Sequence, residues 1–188
     1  MALDLAAALR RLKPEKRTQP LVRRPDEALT FLGDVALAGP PLLLDTTVYI
    51  DILQDRAPPA LDDLLRVRQA NHSSVAVGEL VHHFGRLDPA HPGTGAILGA
   101  IRTAIESIPA HRLSAPSIQA VAEAGIVSGV AARLRGLPRT DRQPFMNDAT
   151  LFLQALENGA VLLSRNIGDM DLIEQLVPSG RVLLYRRV

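Results

Sequence analysis

Two short apolar runs, each followed by a polar residue, constrain this chain more than any other feature. Residues 42–44 are three leucines that end at Asp45, and residues 160–163 (Ala-Val-Leu-Leu) end at Ser164. Continuous runs of this length predict strands that are buried on both faces, as in a parallel sheet covered by helices. The sequence between them predicts mostly helices, so the pattern indicates an α/β domain with a mainly parallel sheet.

The rest of the pattern adds two strands and a series of helices. Strands are predicted at residues 72–75 and 181–185, and residues 88–95, with two prolines and two glycines, predict a loop. The apolar spacing predicts helices over residues 46–53, 59–69, 77–84, 95–108, 117–134 and 140–157.

The first 40 residues form an arm whose charge differs from that of the rest of the chain. Residues 1–24 carry seven basic and two acidic side chains, whereas the remaining residues carry fourteen basic and eighteen acidic ones. We divide the chain into an N-terminal helical arm, residues 1–40, and a body, residues 41–188. Arm helices are predicted over residues 2–13 and from Asp26 to Gly39. The positive charge of the arm is consistent with contact to nucleic acid or to an acidic partner, and equally with a solvated terminus.

Composition excludes several classes of chemistry. The chain has no cysteine, so disulfides, thiolate zinc sites and cysteine nucleophiles are impossible. Its two lysines, Lys13 and Lys16, both lie in the arm, which excludes a P-loop or Schiff-base lysine in the body. No apolar run approaches the ~18 residues of a membrane span, and the start does not read as a secretory signal, so we expect a soluble, cytoplasmic protein.

Four acidic residues adjoin the predicted strands or the helices that follow them. They are Asp45, Glu79, Asp148 and Asp169. Each alone could cap a helix or compensate its dipole. Ligands of parallel α/β sheets bind beyond the carboxyl ends of the strands, so we expect these side chains to converge there. Converging carboxylates repel one another unless a cation holds them, and hard oxygen ligands select Mg²⁺ or Mn²⁺ rather than zinc. Such a site suits hydrolysis of phosphodiesters.

Four sequence blocks stand in a recognisable order. They are residues 42–48 (LLLDTTV), 73–80 (SSVAVGEL), 147–149 (NDA, with Ala155 and Gly159 following) and 160–169 (AVLLSRNIGD). Their order and spacing resemble the PIN-domain family of metal-dependent nucleases and, within it, the VapC-type toxins of type II toxin–antitoxin pairs. The resemblance covers roughly residues 42–185.

The resemblance implies a fold, a reaction and partners. It implies a three-layer fold with a central parallel sheet of about five strands, and a metal-dependent endoribonuclease acting on RNA. A homodimer and a small antitoxin that blocks the site are also implied. The implied catalytic and metal-binding residues are Asp45, Glu79 and Asp148, with a fourth acid after the strand that ends at Leu163.

The chain differs from the family pattern in three places. Asn166 stands where many relatives have aspartate, which leaves Asp169 as the expected fourth carboxylate and Asn166 as a neutral ligand or hydrogen-bond partner. Met170 replaces a usual aromatic, and the arm is longer than in such toxins. We expect supporting roles for Thr46, Asn147, Ser164 and Asn166.

Arginines and histidines near these blocks have two interpretations each. Arg165 and Arg142 are candidates for binding substrate phosphate, and each is otherwise a solvated surface residue. His82 and His83 are adjacent on a helix, point about 100° apart and cannot share one ion, so we expect a surface or dimer-contact role.

Two other hypotheses stay open. The chain could be a PIN-fold binding or regulatory module with weak or no nuclease activity, which Asn166 and the arm motivate. Phosphotransfer through Asp45 is a weaker hypothesis, because such enzymes need a second neighbouring acid and a lysine, and Thr46 and Thr47 follow Asp45 instead.

Overall fold

The computed structural model describes residues 3–188, which fold around a five-stranded sheet. The strands are β1 (Leu42–Leu44), β2 (Ala70–Ser73), β3 (Leu113–Ser114), β4 (Val161–Ser164) and β5 (Val182–Leu184). Their spatial order is β3-β2-β1-β4-β5, and every neighbouring pair is parallel. Leu44 of β1 lies opposite Leu163 of β4, so Asp45 and Ser164 emerge side by side at the carboxyl edge.

Eight α-helices among the described residues flank this sheet. They are α1 (Leu5–Leu12), α2 (Thr46–Leu53), α3 (Pro59–Val67), α4 (Ser74–Arg86), α5 (Thr94–Glu106), α6 (Ile118–Arg135), α7 (Arg142–Glu157) and α8 (Ile167–Leu176). α7 packs against β1, β4, α6 and α8, while α2 packs against α4 and α5. The expected α/β class and central parallel sheet flanked by helices are confirmed.

The core follows from the apolar runs. Residues 42–44 and 161–164 are buried throughout, which is why these strands have no alternating polar face. Phe145 and Phe152 on α7 are almost fully buried above them. α7, which carries Asp148, thus packs directly on the two central strands that end next to Asp45 and at Ser164.

The helix predicted from Asp26 to Gly39 is wrong. Only a single 3₁₀ turn forms there, at Asp26–Ala28. The chain then runs along β5: Phe31 bridges to Leu184, and the Leu32 N–H donates to the Leu184 carbonyl at 2.7 Å. β5 is an edge strand whose backbone groups need partners, and pairing with it outweighs the apolar helical spacing of this segment.

The short strand β3 was absent from the sequence prediction. Leu113 and Ser114 are both exposed, and two residues offer neither an apolar run nor an alternation to detect. The strand exists because Arg112 ends a 3₁₀ turn that brings residues 113 and 114 beside His72 and Ser73 of β2. Its position is set by tertiary contacts, which local sequence does not encode.

The arm is fastened to the body along its length. α1 forms within the predicted helix over 2–13, whose residue 2 lies outside the described part of the chain. Arg11 pairs with the buried Glu123 of α6, and Arg24 pairs with Asp171 at 2.5 Å and with Glu174, both of α8. Over residues 3–188, no helix combines the length and apolarity needed to cross a membrane.

Candidate metal centre

Asp45 lies at the carboxyl end of β1, where the chain turns into α2. It is 2% exposed, and its Oδ2 accepts hydrogen bonds from Ser164 Oγ and Thr47 Oγ1, each at 2.6 Å. Asp45 also occupies the N-cap position of α2, as the capping interpretation expected, but its side chain makes no capping hydrogen bond. Its carboxylate is oriented by two hydroxyl donors from two different connections of the sheet. The predicted supporting residue Ser164 therefore contacts the predicted site.

Glu79 reaches the same edge from the second turn of α4. Thr46 Oγ1 donates to Glu79 Oε2, and Asn147 Nδ2 donates to Oε1 at 2.7 Å. Glu79 is therefore joined to α2 and α7, and it lies beyond the first turn of its own helix. Thr46 and Asn147, both predicted as supporting residues, hold this carboxylate between them.

Asp148 and Asp169 are joined by Asn166. Asn166 Nδ2 donates to Asp148 Oδ2 at 2.7 Å and to Asp169 Oδ2 at 3.0 Å, while its Oδ1 accepts from the Asp169 N–H. Asn166 is thus the N-cap of α8, the role that the capping interpretation gave to Asp169. Asp148 is the seventh residue of α7 and does not serve its N-terminus. The amide at position 166 bridges two carboxylates that would otherwise only repel each other.

The electrostatics show that the four carboxylates share one environment. Burial raises the pKa of Asp45, and the charge of Glu79 raises it further, against the lowering effect of the two hydroxyl donors. Burial raises the pKa of Asp148 well above its usual range, and the charges of Asp45, Asp169 and Glu79 add to it. The charges of Asp45, Glu79 and Asp169 all act on Asp148, so the four acids, distant in sequence, lie near one another at the carboxyl edge of the sheet.

The donor set suits a hard divalent cation. Every candidate ligand is an oxygen or an amide, which favours Mg²⁺ or Mn²⁺ over zinc. The raised pKa values of Asp45 and Asp148 show that ionising these buried carboxyls is unfavourable, and a bound cation would offset that cost. Within residues 3–188, no three His, Cys, Asp or Glu side chains already surround a common point. The residues fit such an ion in chemistry and charge, and closing on it needs rotation of carboxylates now turned toward hydroxyl and amide donors.

The two predicted phosphate-binding arginines lie beside the centre in different settings. Arg165 Nε donates to Asp51 Oδ2 at 2.6 Å, so its guanidinium is engaged with a carboxylate outside the four. Arg142 is exposed at the start of α7, and its Nε donates to the Leu137 carbonyl at 3.4 Å. Their roles toward substrate stay predictions.

Sequence reasoning missed a buried network behind the centre. Asp51 is fully buried, and its Oδ2 accepts from the Tyr185 hydroxyl at 2.9 Å as well as from Arg165. The Arg165 N–H donates to Thr47 Oγ1 at 3.1 Å, and Thr47 in turn donates to Asp45. An aspartate on the apolar helix α2 was the available signal, since a carboxylate among buried residues requires partners.

This chain is similar in fold to several solved structures. It shares its fold with VapBC2 from Rickettsia felis bound to a DNA fragment from their promoter, at a TM-score of 0.53 and 12% identity over 77% of this chain and 97% of that one. DNA-bound VapBC from Salmonella typhimurium gives a TM-score of 0.54 at 18% identity, with the same coverage. FitAB bound to an IR36 DNA fragment gives 0.52 at 13% identity, over 77% and 94%.

These likenesses define the class of fold. VapC is a PIN-domain toxin, so the resemblance to PIN-domain proteins is confirmed, and the chain has a PIN-like fold. The structures it resembles are toxin–antitoxin complexes. No protein-family model and no curated protein sequence matches the chain.

Proposed function

We propose that this chain is a Mg²⁺- or Mn²⁺-dependent endoribonuclease that hydrolyses RNA phosphodiester bonds, and that it is the toxin of a toxin–antitoxin pair. The observation that carries the proposal is the convergence of Asp45, Glu79, Asp148 and Asp169 on one sheet edge, where burial and repulsion raise the pKa of two of them. The PIN-like fold supports it, because the resemblance implies this chemistry for carboxylates at this place.

The chain's own residues divide the work. Ser164 and Thr47 fix the orientation of Asp45, and Asn166 fixes Asp148 against Asp169. Asp45 and Asp148, once deprotonated, would hold the ion and orient the attacking water, while Glu79 and Asp169 complete the site. A bound divalent ion would supply an acidified water and neutralise charge on the phosphate.

Cleavage of RNA by the purified protein tests the proposal. Wild type is incubated with RNA in Mn²⁺ and in EDTA, beside Asp45→Asn in Mn²⁺. We expect cleavage only by wild type with the metal, because the substitution removes a charged ligand and keeps the shape of the side chain. Asp63→Asn, an exposed acid on α3, is the matched control and should cleave as wild type does. Equal cleavage in all arms contradicts the proposal.

A second function keeps a specific observation in its favour. Asn166 replaces a carboxylate that the family pattern usually has, and the bridge it makes to Asp148 and Asp169 partly satisfies both without a metal. The chain would then be a PIN-fold binding or regulatory module. Absence of Mn²⁺ binding below millimolar concentration, together with no cleavage, favours this second function.

The partners follow from the same proposal. The structures that share this fold are complexes with antitoxins, which supports our proposal of a small antitoxin protein as partner. We also propose a homodimer, which the family resemblance implies, and a cytoplasmic location, which we expect from the sequence. Light scattering of the purified protein should give twice the chain mass of 20.3 kDa. A mass equal to that of a single chain would contradict the homodimer and would leave the nuclease proposal unchanged.

A further inference from the structure

A groove leads away from the candidate metal centre along α4. Its volume is about 630 Å³, and it begins at Glu79 and Asn147. It continues past His82 and His83 to Arg86, so the helix presents basic side chains beyond its acidic one. This α4 groove, defined by those five residues, is open at the surface and joins the centre directly.

The basic side chains of the α4 groove make no ion pair with an acidic residue in the part of the chain that the structure describes. Among the described residues, no salt bridge or side-chain hydrogen bond involves His82, His83 or Arg86, and Arg86 is exposed. By contrast, Arg165 and Arg24 are neutralised by buried aspartates. An exposed arginine that is free of carboxylates, at the end of a groove that reaches a metal-type site, is suited to hold a phosphate.

A second groove lies on the other side of the centre. Its volume is about 350 Å³, and its lining includes Arg135, Asp141 and Asp169. Pro144 lines both this α6 groove and the α4 groove, so the two meet at the start of α7, beside the carboxylates. Asp141 reduces the positive charge near Arg135, so Arg135 would hold a phosphate more weakly than Arg86 does.

The shape of this path selects a flexible strand. Asp45 and Asp148 are only 2% and 9% exposed, so a scissile phosphate must descend to them while its neighbours stay in the grooves. A single strand bends in this way, whereas a rigid duplex holds its phosphates on its outer surface. Among residues 3–188, no Phe, Tyr or Trp side chain lines either groove, so binding would rest on the backbone more than on stacked bases.

We infer that the α4 and α6 grooves together hold the phosphodiester backbone of a single-stranded RNA across the carboxylates, with Arg86 at one end and Arg135 at the other. The inference rests on the proposed function and specifies how its substrate is held. It assigns phosphate binding to Arg86 and Arg135, neither of which was among the predicted substrate residues.

Salt-dependent binding tests the inference. A fluorescent single-stranded RNA of about 12 nucleotides is titrated with Asp148→Asn protein, which keeps the shape of the side chain and lacks one of the proposed catalytic carboxylates. The same titration is made with this protein carrying Arg86→Gln or Arg135→Gln. Each phosphate contact contributes about 0.7 to the slope of log affinity against log salt. When the salt is lowered from 0.5 M to 0.05 M, the RNA affinity of Arg86→Gln should therefore rise about fivefold less than that of the background protein. The corresponding difference for Arg135→Gln should be somewhat smaller.

Arg102→Gln is the matched control. Arg102 is an exposed arginine on the neighbouring helix α5, lies outside both grooves and is free of ion pairs among the described residues. The salt slope of Arg102→Gln should equal that of the Asp148→Asn background. All variants should melt within about 2 °C of that background, because surface substitutions change the free energy of unfolding of a chain of this size by about 0.5 kcal/mol or less.

Each other outcome has a distinct meaning. Equal slopes for Arg86→Gln and Arg102→Gln overturn the inference, and wild-type cleavage in Mn²⁺ then keeps the proposed function. No RNA binding by the background protein also overturns it. Groove-dependent binding without any Mn²⁺-dependent cleavage by wild type supports the grooves and overturns the nuclease.

Discussion

Asp51 is the residue whose removal should damage the fold and the site together. It is fully buried on α2, and its Oδ2 accepts from Tyr185 at 2.9 Å and from Arg165 at 2.6 Å. Burial, together with the hydrogen bond to Asp51, raises the pKa of Tyr185, so its hydroxyl remains a donor at any ordinary pH. Asp51→Ala leaves this buried hydroxyl without an acceptor and the Arg165 guanidinium without a counter-charge.

The structure sets the size of the effect. An unsatisfied buried hydroxyl costs about 1–3 kcal/mol, and breaking a buried ion pair costs about 3–5 kcal/mol. The Arg165 side chain is 30% exposed and regains water, which favours the lower end. We expect a loss of about 2–4 kcal/mol in the free energy of unfolding, which lowers the Tm of a chain of this size by roughly 4–16 °C.

Urea unfolding and thermal melting measure this loss. Asp63→Ala is the matched control, because Asp63 is an exposed acid whose loose pair with Arg66 contributes about 0–1 kcal/mol. Asp51→Asn should fall between the two, since its amide oxygen still accepts from Tyr185. Equal stability of Asp51→Ala and Asp63→Ala refutes the reasoning about the buried network.

Three further predictions concern charge and the arm. In EDTA, Asp148→Asn should have a higher Tm than wild type, and this difference in Tm should widen as the pH rises from about 4 to 8. Because the pKa of Asp148 is raised in the folded state, the stability of wild type is highest below the unfolded pKa of 3.8 and falls as Asp148 ionises. The amide of the Asp148→Asn variant does not titrate, so the variant does not lose stability in this way. A difference that shrinks with pH contradicts the raised pKa. Asn166→Ala should weaken Mn²⁺ binding by about 10–100-fold, measured by calorimetry, because the bridge between Asp148 and Asp169 is lost. Unchanged affinity would show that the bridge does not shape the site. Arg24→Gln should cost about 2 kcal/mol in the free energy of unfolding, measured by thermal melting, because it removes the ion pair to the buried Asp171. Arg23→Gln, which removes an exposed ion pair, should lower the Tm less in the same assay.

Much of the fold could be predicted because its signals are local. The leucine run before Asp45 and the apolar run before Ser164 mark the two central strands, and α2 begins and ends where its spacing predicted, at Thr46 and Leu53. The acids could be predicted to converge because parallel strands bring their carboxyl ends to one edge, a rule of topology that needs no coordinates.

The missed features depend on contacts between distant residues. The segment after Asp26 has a helical apolar pattern, and it becomes extended because the edge of β5 offers backbone partners. Arg165 was a candidate for binding phosphate or a solvated surface residue, and neither interpretation included its pair with Asp51, which a sequence separation of 114 residues conceals. The two grooves are shapes between helices, and no local pattern records them.

Direct measurement of metal binding tests the central claim, that the four carboxylates form one divalent-cation site. Mn²⁺ is titrated calorimetrically into wild-type protein, Asp148→Asn and the control Asp63→Asn at pH 7.5. We predict binding below about 1 mM for wild type and the control, and affinity at least tenfold weaker for Asp148→Asn, which removes one charged ligand. Equal Mn²⁺ affinity of wild type and Asp148→Asn, or no binding by wild type, would contradict the account.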